Sequence, residues 1–384
     1  MAANHLECLQ SSILTLCHLP SFSFTSIILT MILKYVSFVL SFCSYCSSEK
    51  ILLSPDYSPE ELPPVKEGPL LVSASINLRN ILDISETKQQ ISLETTLRFY
   101  WQDTRVTPKP QHLHGEDSLG QYVNLHPRAA AKLWMPDTFI DQAISLRKPA
   151  YYTQTASIRV YNDSSIRYSA RMNYDVACAM DFHKFPLDQQ VCSVKFESFS
   201  YSSSQIQLRW RNESDSQVNT AIHLDQFMFN VDLHDNYQTI GYDITYPGLI
   251  MKITLTRVLS YHLIQTYIPS SLFVILGWLS LFIPQSSVPG RVGMGMTTIL
   301  TLTAMFNGVR QNVPRVSYVS YLDIWMVMCV IFVNCCMFEF VVVTFMTKLG
   351  MEKLSNRTEE RCRLVFPLVF IIFNLFYWPI VCHL

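Results

Sequence analysis

Cys178-Ala-Met-Asp-Phe-His-Lys-Phe-Pro-Leu-Asp-Gln-Gln-Val-Cys192 decides how the rest of this chain is read. Four of the 11 cysteines precede residue 47 and five follow residue 328, so Cys178 and Cys192 stand by themselves in the middle of the sequence. In an oxidising compartment two such cysteines are expected to bond to each other. A loop of that size contributes roughly 3 kcal/mol on a chain-entropy account.

Upstream, residues 1–47 read as a signal peptide or presequence. Met31 to Lys34 form a short basic start, Tyr35 to Phe42 an apolar run, and a Cys/Ser run to Ser48 a small-residue end. Residues 1–30 then read as an upstream extension of the reading frame. The other reading is a membrane anchor, against which the serine and threonine content argues. Residues 48–260 alternate like the strands of a β-sandwich. In Ile91 to Trp101 the odd positions are Ile, Leu, Thr, Leu, Phe and Trp against Ser, Glu, Thr, Arg and Tyr. Ser165 to Val176 repeats the pattern, as do Ile206, Leu208 and Trp210.

Residues 261–384 change period. Leu263 to Ile283, Val292 to Val309, Val319 to Met346 and Val365 to Leu384 are apolar runs near the ~20 residues a helix needs to cross ~30 Å of hydrocarbon. The fold expected is therefore an extracellular all-β, immunoglobulin-like sandwich followed by an all-α four-helix transmembrane bundle. A cytoplasmic loop at about 347–364 carries Lys348, Lys353, Arg357, Arg361 and Arg363, as the positive-inside rule requires. Cys329, Cys335, Cys336 and Cys382 read as small apolar packing residues rather than metal ligands. Asn162 and Asn212 head extracellular glycosylation sequons, while that of Asn356 falls on the cytoplasmic side.

Across the 384 residues, 49% are hydrophobic and 15% charged, with 29 basic against 30 acidic side chains. That is too little charge to solvate a disordered chain, and there is no net positive field for nucleic acid. No hydrolase, zincin, P-loop or dinucleotide motif is present, so the chain reads as a non-enzyme without a cofactor.

The bonded segment, with Phe185-Pro186-Leu187-Asp188 inside it and Trp134-Met135-Pro136-Asp137 upstream, strongly resembles the Cys-loop family of pentameric ligand-gated ion channels. Tyr267-Ile268-Pro269, Thr297-Thr298-Ile299-Leu300-Thr301, Pro314-Arg315-Val316-Ser317-Tyr318 and Asp323-Ile324-Trp325 resemble its glycine- and GABA-gated chloride channels and their invertebrate relatives. The resemblance implies a plasma-membrane subunit of a homo- or hetero-pentamer in the lipid bilayer, passing chloride when a small ligand binds between subunits. It implies Phe139, Glu197, Ser198, Phe199 and Tyr246, with Tyr242 nearby, on one face of that ligand, and Arg98, Ser169 and Arg171 on the other. Aromatic faces suit a cation and Arg98 a carboxylate, so an amino acid or amine is expected. Taken singly, the same residues read as surface arginines and core aromatics. The second cysteine pair of glycine receptors is missing, and Gly248 occupies one of its positions. Protons and zinc remain alternative ligands. His112 and His114 read either as a metal clamp or pH sensor or as a solvated loop.

For the pore, Gly293, Thr297, Leu300, Ala304, Asn307 and Gln311 form one helical stripe, with Leu300 as a dewetting gate. Pro289, Gly290 and Arg291 are expected at its cytoplasmic mouth. There an arginine ring favours anions, although Arg291 also reads as a snorkelling anchor. No acidic residue lies between Asp243 and Asp323. Chloride channels of the family usually read Pro-Ala-Arg at that mouth, and glycine keeps it small and uncharged. Coupling to the pore is expected from Glu86, Asp188 and Arg257 at the base of the β-domain, with Phe185 and Pro186 pressing on the linker that contains Arg315. A non-conducting receptor or accessory subunit that needs partners is the competing reading.

Overall fold

Alternation of apolar with polar residues from Ile91 to Trp101 produces the central strand of the extracellular domain, β3 (Gln90–Gln102), and its apolar face is driven into a core shared by two sheets. The computed structural model describes residues 31–32, 34–35, 50–113, 115–147, 155–211, 216–241, 243–311 and 316–383. Nearly all of residues 1–47 and the processing expected there lie outside them.

In chain order the strands are β1 (Ile51–Leu53), β2 (Leu70–Ser85), β3, β4 (Val106–Pro108), β5 (Gly115–Asp117), β6 (Gly120–Leu125), β7 (Thr138–Ile140) and β8 (Ala143–Arg147). There follow β9 (Ala156–Tyr161), β10 (Ser165–Ala177), β11 (Gln189–Ser198), β12 (Ile206–Trp210), β13 (Gln217–Val218), β14 (Phe227–Gly241) and β15 (Ile244–Arg257). The large sheet runs β12-β2-β3-β10-β9-β6-β5, with β13 on β2 and β8 on β10; the second runs β14-β15-β11-β7, and β1 pairs with β4 in a small two-stranded sheet.

β10 pairs with β3 along its whole length, setting Ile166 opposite Trp101 and Val176 opposite Ile91, all four buried. Leu249, Met251, Ile253 and Leu255 of β15 close the core from the second sheet. Burying each such side chain contributes roughly 1.5–3 kcal/mol. Trp134 packs edge-on against Trp101 at 5.9 Å, and its indole N–H donates to the Tyr201 hydroxyl at 3.0 Å. The bond between Cys178 and Cys192 joins the end of β10 to the start of β11, and so one sheet to the other.

Below the sandwich stand α1 (Ser260–Phe282), α2 (Val288–Gln311), α3 (Tyr321–Lys348) and α4 (Glu352–His383), each long and apolar enough to cross a membrane. Ser320 and Asp323 form a reciprocal capping box at the head of α3.

The cytoplasmic loop expected at about 347–364 is corrected: α3 and α4 are separated only by Leu349–Met351, where Gly350 takes a φ of +80°. Lys353, Arg357, Arg361 and Arg363 ride on the first turns of α4. Spacing of i,i+4 lets Arg363 pair with Glu359 at 3.1 Å, so the charge run supports a helix.

Candidate ligand site, coupling junction and pore helix

On the second sheet, Phe139 of β7 lies opposite Glu197 of β11, and Thr138 opposite Ser198. Phe139 meets Phe199 edge-on at 5.8 Å, and both rings are exposed. The Ser198 hydroxyl donates to Asp137 Oδ1 at 2.7 Å, fixing the turn that carries Phe199. Glu197 is 5% exposed and its Oε1 has no hydrogen-bond partner among the described residues. A carboxylate oxygen without a partner in so dry a place is costly unless something cationic joins it. Tyr246 stands half-buried on the hairpin of β14 and β15, opposite Thr239. Tyr242 lies outside the described residues.

The other expected set lies on the first sheet, where Arg98 of β3 sits directly opposite Ser169 of β10. Arg171 faces Thr96 and donates from Nε to Glu94 Oε1 at 2.7 Å, so its charge is already engaged within the subunit. The two sets thus occupy different sheets.

At the base of the sandwich the expected triad meets. Arg257 donates from Nε to Asp188 Oδ1 at 2.7 Å, from Nη2 to Asp188 Oδ2 at 3.1 Å, and from Nη1 to Glu86 Oε1 at 2.7 Å. Burial alone pulls the Arg257 pKa down, but the Asp188 and Glu86 hydrogen bonds outweigh it and hold the group above the ordinary arginine value. The guanidinium also lies 4.7 Å from the Phe185 ring and 4.6 Å from Phe227. Phe185 turns its edge to His262 of α1 at 4.9 Å. The peptide bond before Pro186 is cis.

The disulfide loop reaches the pore domain through its main chain. The N–H of Tyr321 donates to the His183 carbonyl and that of Leu322 to the Phe185 carbonyl, each at 3.1 Å. The His183 ring stacks on Tyr318 at 3.7 Å, and the Phe182 N–H donates to the Tyr318 hydroxyl at 3.0 Å. Arg315 lies outside the described residues.

Along α2, Pro289, Gly290, Gly293, Thr297, Leu300, Ala304, Asn307 and Gln311 are all exposed on the single subunit. Leu300 is 72% exposed, an apolar side chain turned from the helices of its own subunit. Arg291 is corrected as a residue of the pore mouth. It is 2% exposed, with Nε donating to the Ile283 carbonyl at 2.7 Å and Nη2 bonded to Glu359 of α4. Two residues before Gly293, it stands about 200° around the helix from the stripe. Arg310 likewise pairs with Asp323, at 2.9 Å from its Nε.

Sequence reasoning missed Glu359, and the signal was there: a lone arginine at the edge of an apolar span calls for a counter-ion on another helix. It also missed the His183–Tyr318 stack, for which the pattern holds no signal. Among the described residues no group of three metal-ligating side chains assembles; His112 lies in a short helical turn and His114 lies outside the described residues.

A domain of two packed sheets above four membrane-crossing helices, with a buried ion-pair triad at its base and its disulfide loop bonded to the head of α3, defines the class of ligand-gated membrane receptors. Residues 49–259 match the neurotransmitter-gated ion-channel ligand binding domain, and residues 266–361 match the neurotransmitter-gated ion-channel transmembrane region. The chain belongs to this family of ligand-gated ion channels, the Cys-loop receptors, and not to an enzyme family. The human gamma-aminobutyric acid receptor subunit rho-2 is 33% identical over 322 residues, 82% of this chain. The chain spans 66% of that relative's length. An extracellular β-domain followed by four membrane helices makes it a multi-pass protein of the plasma membrane.

Proposed function

We propose that this chain is one subunit of a pentameric anion channel opened by a small amino acid or amine, with gamma-aminobutyric acid the first to test. The observation that carries the reading is the dry carboxylate of Glu197, its Oε1 without a partner among the described residues, near the edge-to-face pair of Phe139 and Phe199. A ligand ammonium satisfies it, and the aromatic faces add cation–π attraction. Arg98, beside Ser169 on the other sheet, supplies a cation for a ligand carboxylate when a second copy brings that sheet against the first. Arg171, tied to Glu94, acts as a strut for this face rather than as a direct ligand.

Chloride passes a pore lined by the Gly293-to-Gln311 stripe and closed by Leu300. Its sign preference rests on the missing acidic residue at position 290 and on a lumen without carboxylates, not on the Arg291 side chain. Movement of the hairpin reaches the pore through Glu86, Asp188, Arg257, Phe185 and Pro186. Asn162, exposed at the turn between β9 and β10, takes an N-linked glycan, and Asn212 a second.

Two-electrode voltage clamp on oocytes expressing this chain alone tests the reading, with amino acids, amines, zinc and pH steps applied in altered chloride. Current that reverses with the chloride gradient supports it. Silence with protein at the surface moves the assignment to a subunit that needs partners.

A further inference from the structure

One rung of the second sheet runs through four strands: Phe139 of β7, Glu197 of β11, Gly248 of β15 and Tyr237 of β14 are successive partners. Directly opposed residues of antiparallel strands point to the same face. Phe139, Glu197 and Tyr237 therefore share one face, and Gly248 is the gap between the last two.

That gap is filled from both sides. A Cβ on Gly248 would stand 2.6 Å from Tyr237 Cδ1 and 3.3 Å from Glu197 Cγ, with the Phe196 carbonyl at 3.1 Å. No side chain fits without moving the ring or the carboxylate arm. Lys195, two residues before Glu197 on the same face of β11, reaches across to the ring. The Lys195 Nζ lies over the ring, 5.0 Å from its centroid.

Tyr237 owes this position to a bulge. His234 is opposite Ile250 and Tyr237 opposite Gly248, so β14 carries one extra residue there. An extra residue flips every side chain after it to the other face. The bulge is clamped by the Trp210 N–H donating to Asp235 Oδ1 at 2.6 Å and by the Trp210 indole donating to the His234 carbonyl at 3.2 Å.

We infer that Tyr237, seated on Gly248 with Lys195 over its ring, is a positioning residue that fixes the Glu197 carboxylate for the ligand's ammonium group. The inference rests on the ligand reading of Glu197. It makes Gly248 the position at which any side chain retunes the site, because only a glycine leaves room for the ring.

The test is the half-maximal concentration of gamma-aminobutyric acid in oocytes for the full chain and for Glu197→Gln, Gly248→Ala, Tyr237→Ala, Tyr237→Phe and the double variant Gly248→Ala/Tyr237→Ala. Surface biotinylation and reversal potential are recorded for each. The expected result is a rise of about tenfold for Gly248→Ala and for Tyr237→Ala. The double variant rises no further than Tyr237→Ala, and Tyr237→Phe, which keeps the ring, stays within about threefold. Surface protein and reversal potential do not move. A response to Glu197→Gln, with Gly248→Ala and Tyr237→Ala silent or strictly additive, overturns this inference and leaves the ligand reading standing. No change in Glu197→Gln, or no response of the unmodified chain at the surface, overturns both.

Discussion

The guanidinium of Arg291, at the start of α2, is bonded to the carboxylate of Glu359 on α4, with both side chains buried inside the subunit. α4 thereby holds the start of α2 in place. The charge that the sequence offers as a ring around the ion path works instead as an internal tether.

Glu359→Gln leaves that guanidinium buried without its counter-charge. Removing one partner of a buried pair costs about 3–5 kcal/mol. The expected outcome is a sharp fall in surface protein and in the melting temperature of the detergent-extracted channel. Channels that do reach the surface keep the chloride reversal potential of the unmodified chain. A changed ion preference would return Arg291 to the lumen.

Leu300→Thr replaces the one large apolar side chain of the stripe by a polar one. The expected outcome is standing current without ligand and a half-maximal concentration lowered about tenfold, as ~1.4 kcal/mol toward the open pore requires. A variant indistinguishable from the unmodified channel would move the gate elsewhere on α2.

The two carboxylates on Arg257 are unequal. Asp188 is 2% exposed and bonded twice, whereas the Glu86 side chain is 13% exposed and bonded once. Asp188→Asn is expected to abolish most ligand-evoked current per surface protein, and Glu86→Gln to reduce it several-fold less. Reversing Arg257 to Glu places three acids together, and no gating is expected from it. Current normalised to biotinylated protein reads all three.

Hydrogen bonds from Ser145 and Ser92, with Arg147 beside them, hold the Asp175 carboxyl below the ordinary aspartate value of 3.8. A depressed folded pKa contributes stability that is present above the unfolded value and is lost as pH falls through the folded one. The extracellular domain is therefore expected to keep its melting temperature from pH 7 to about 5 and to lose stability below about pH 4, less steeply in Asp175→Asn. Equal acid slopes for the two would remove the assignment.

The alternation of Ile91 to Trp101 and of Ser165 to Val176 made β3 and β10 legible, because one face of each is dry. Four apolar runs made the helices legible by length alone. The coupling triad was legible only through the family resemblance, since Glu86, Asp188 and Arg257 are far apart in the chain. Arg291 was misread because charge was considered without helical phase: a step of two residues turns it away from the Gly293 stripe. The charged run after Lys348 was misread as loop because positive residues mark the cytoplasmic side equally well from a helix. The rung that joins Phe139 to Tyr237 depends on a bulge, which no pattern of apolar residues announces.

The contact between the disulfide loop and α3 is made by peptide groups: the first free N–H groups of a helix are satisfied by carbonyls of His183 and Phe185. These two bonds run through main-chain atoms, whatever the side chains at positions 183, 185, 321 and 322. An alanine scan across Tyr321 and Leu322 leaves both bonds in place and reads instead the packing of the buried Leu322 side chain. Replacing either amide by an ester, which puts an oxygen in place of the N–H and weakens the carbonyl before it, removes one of the two main-chain bonds that tie the disulfide loop to α3.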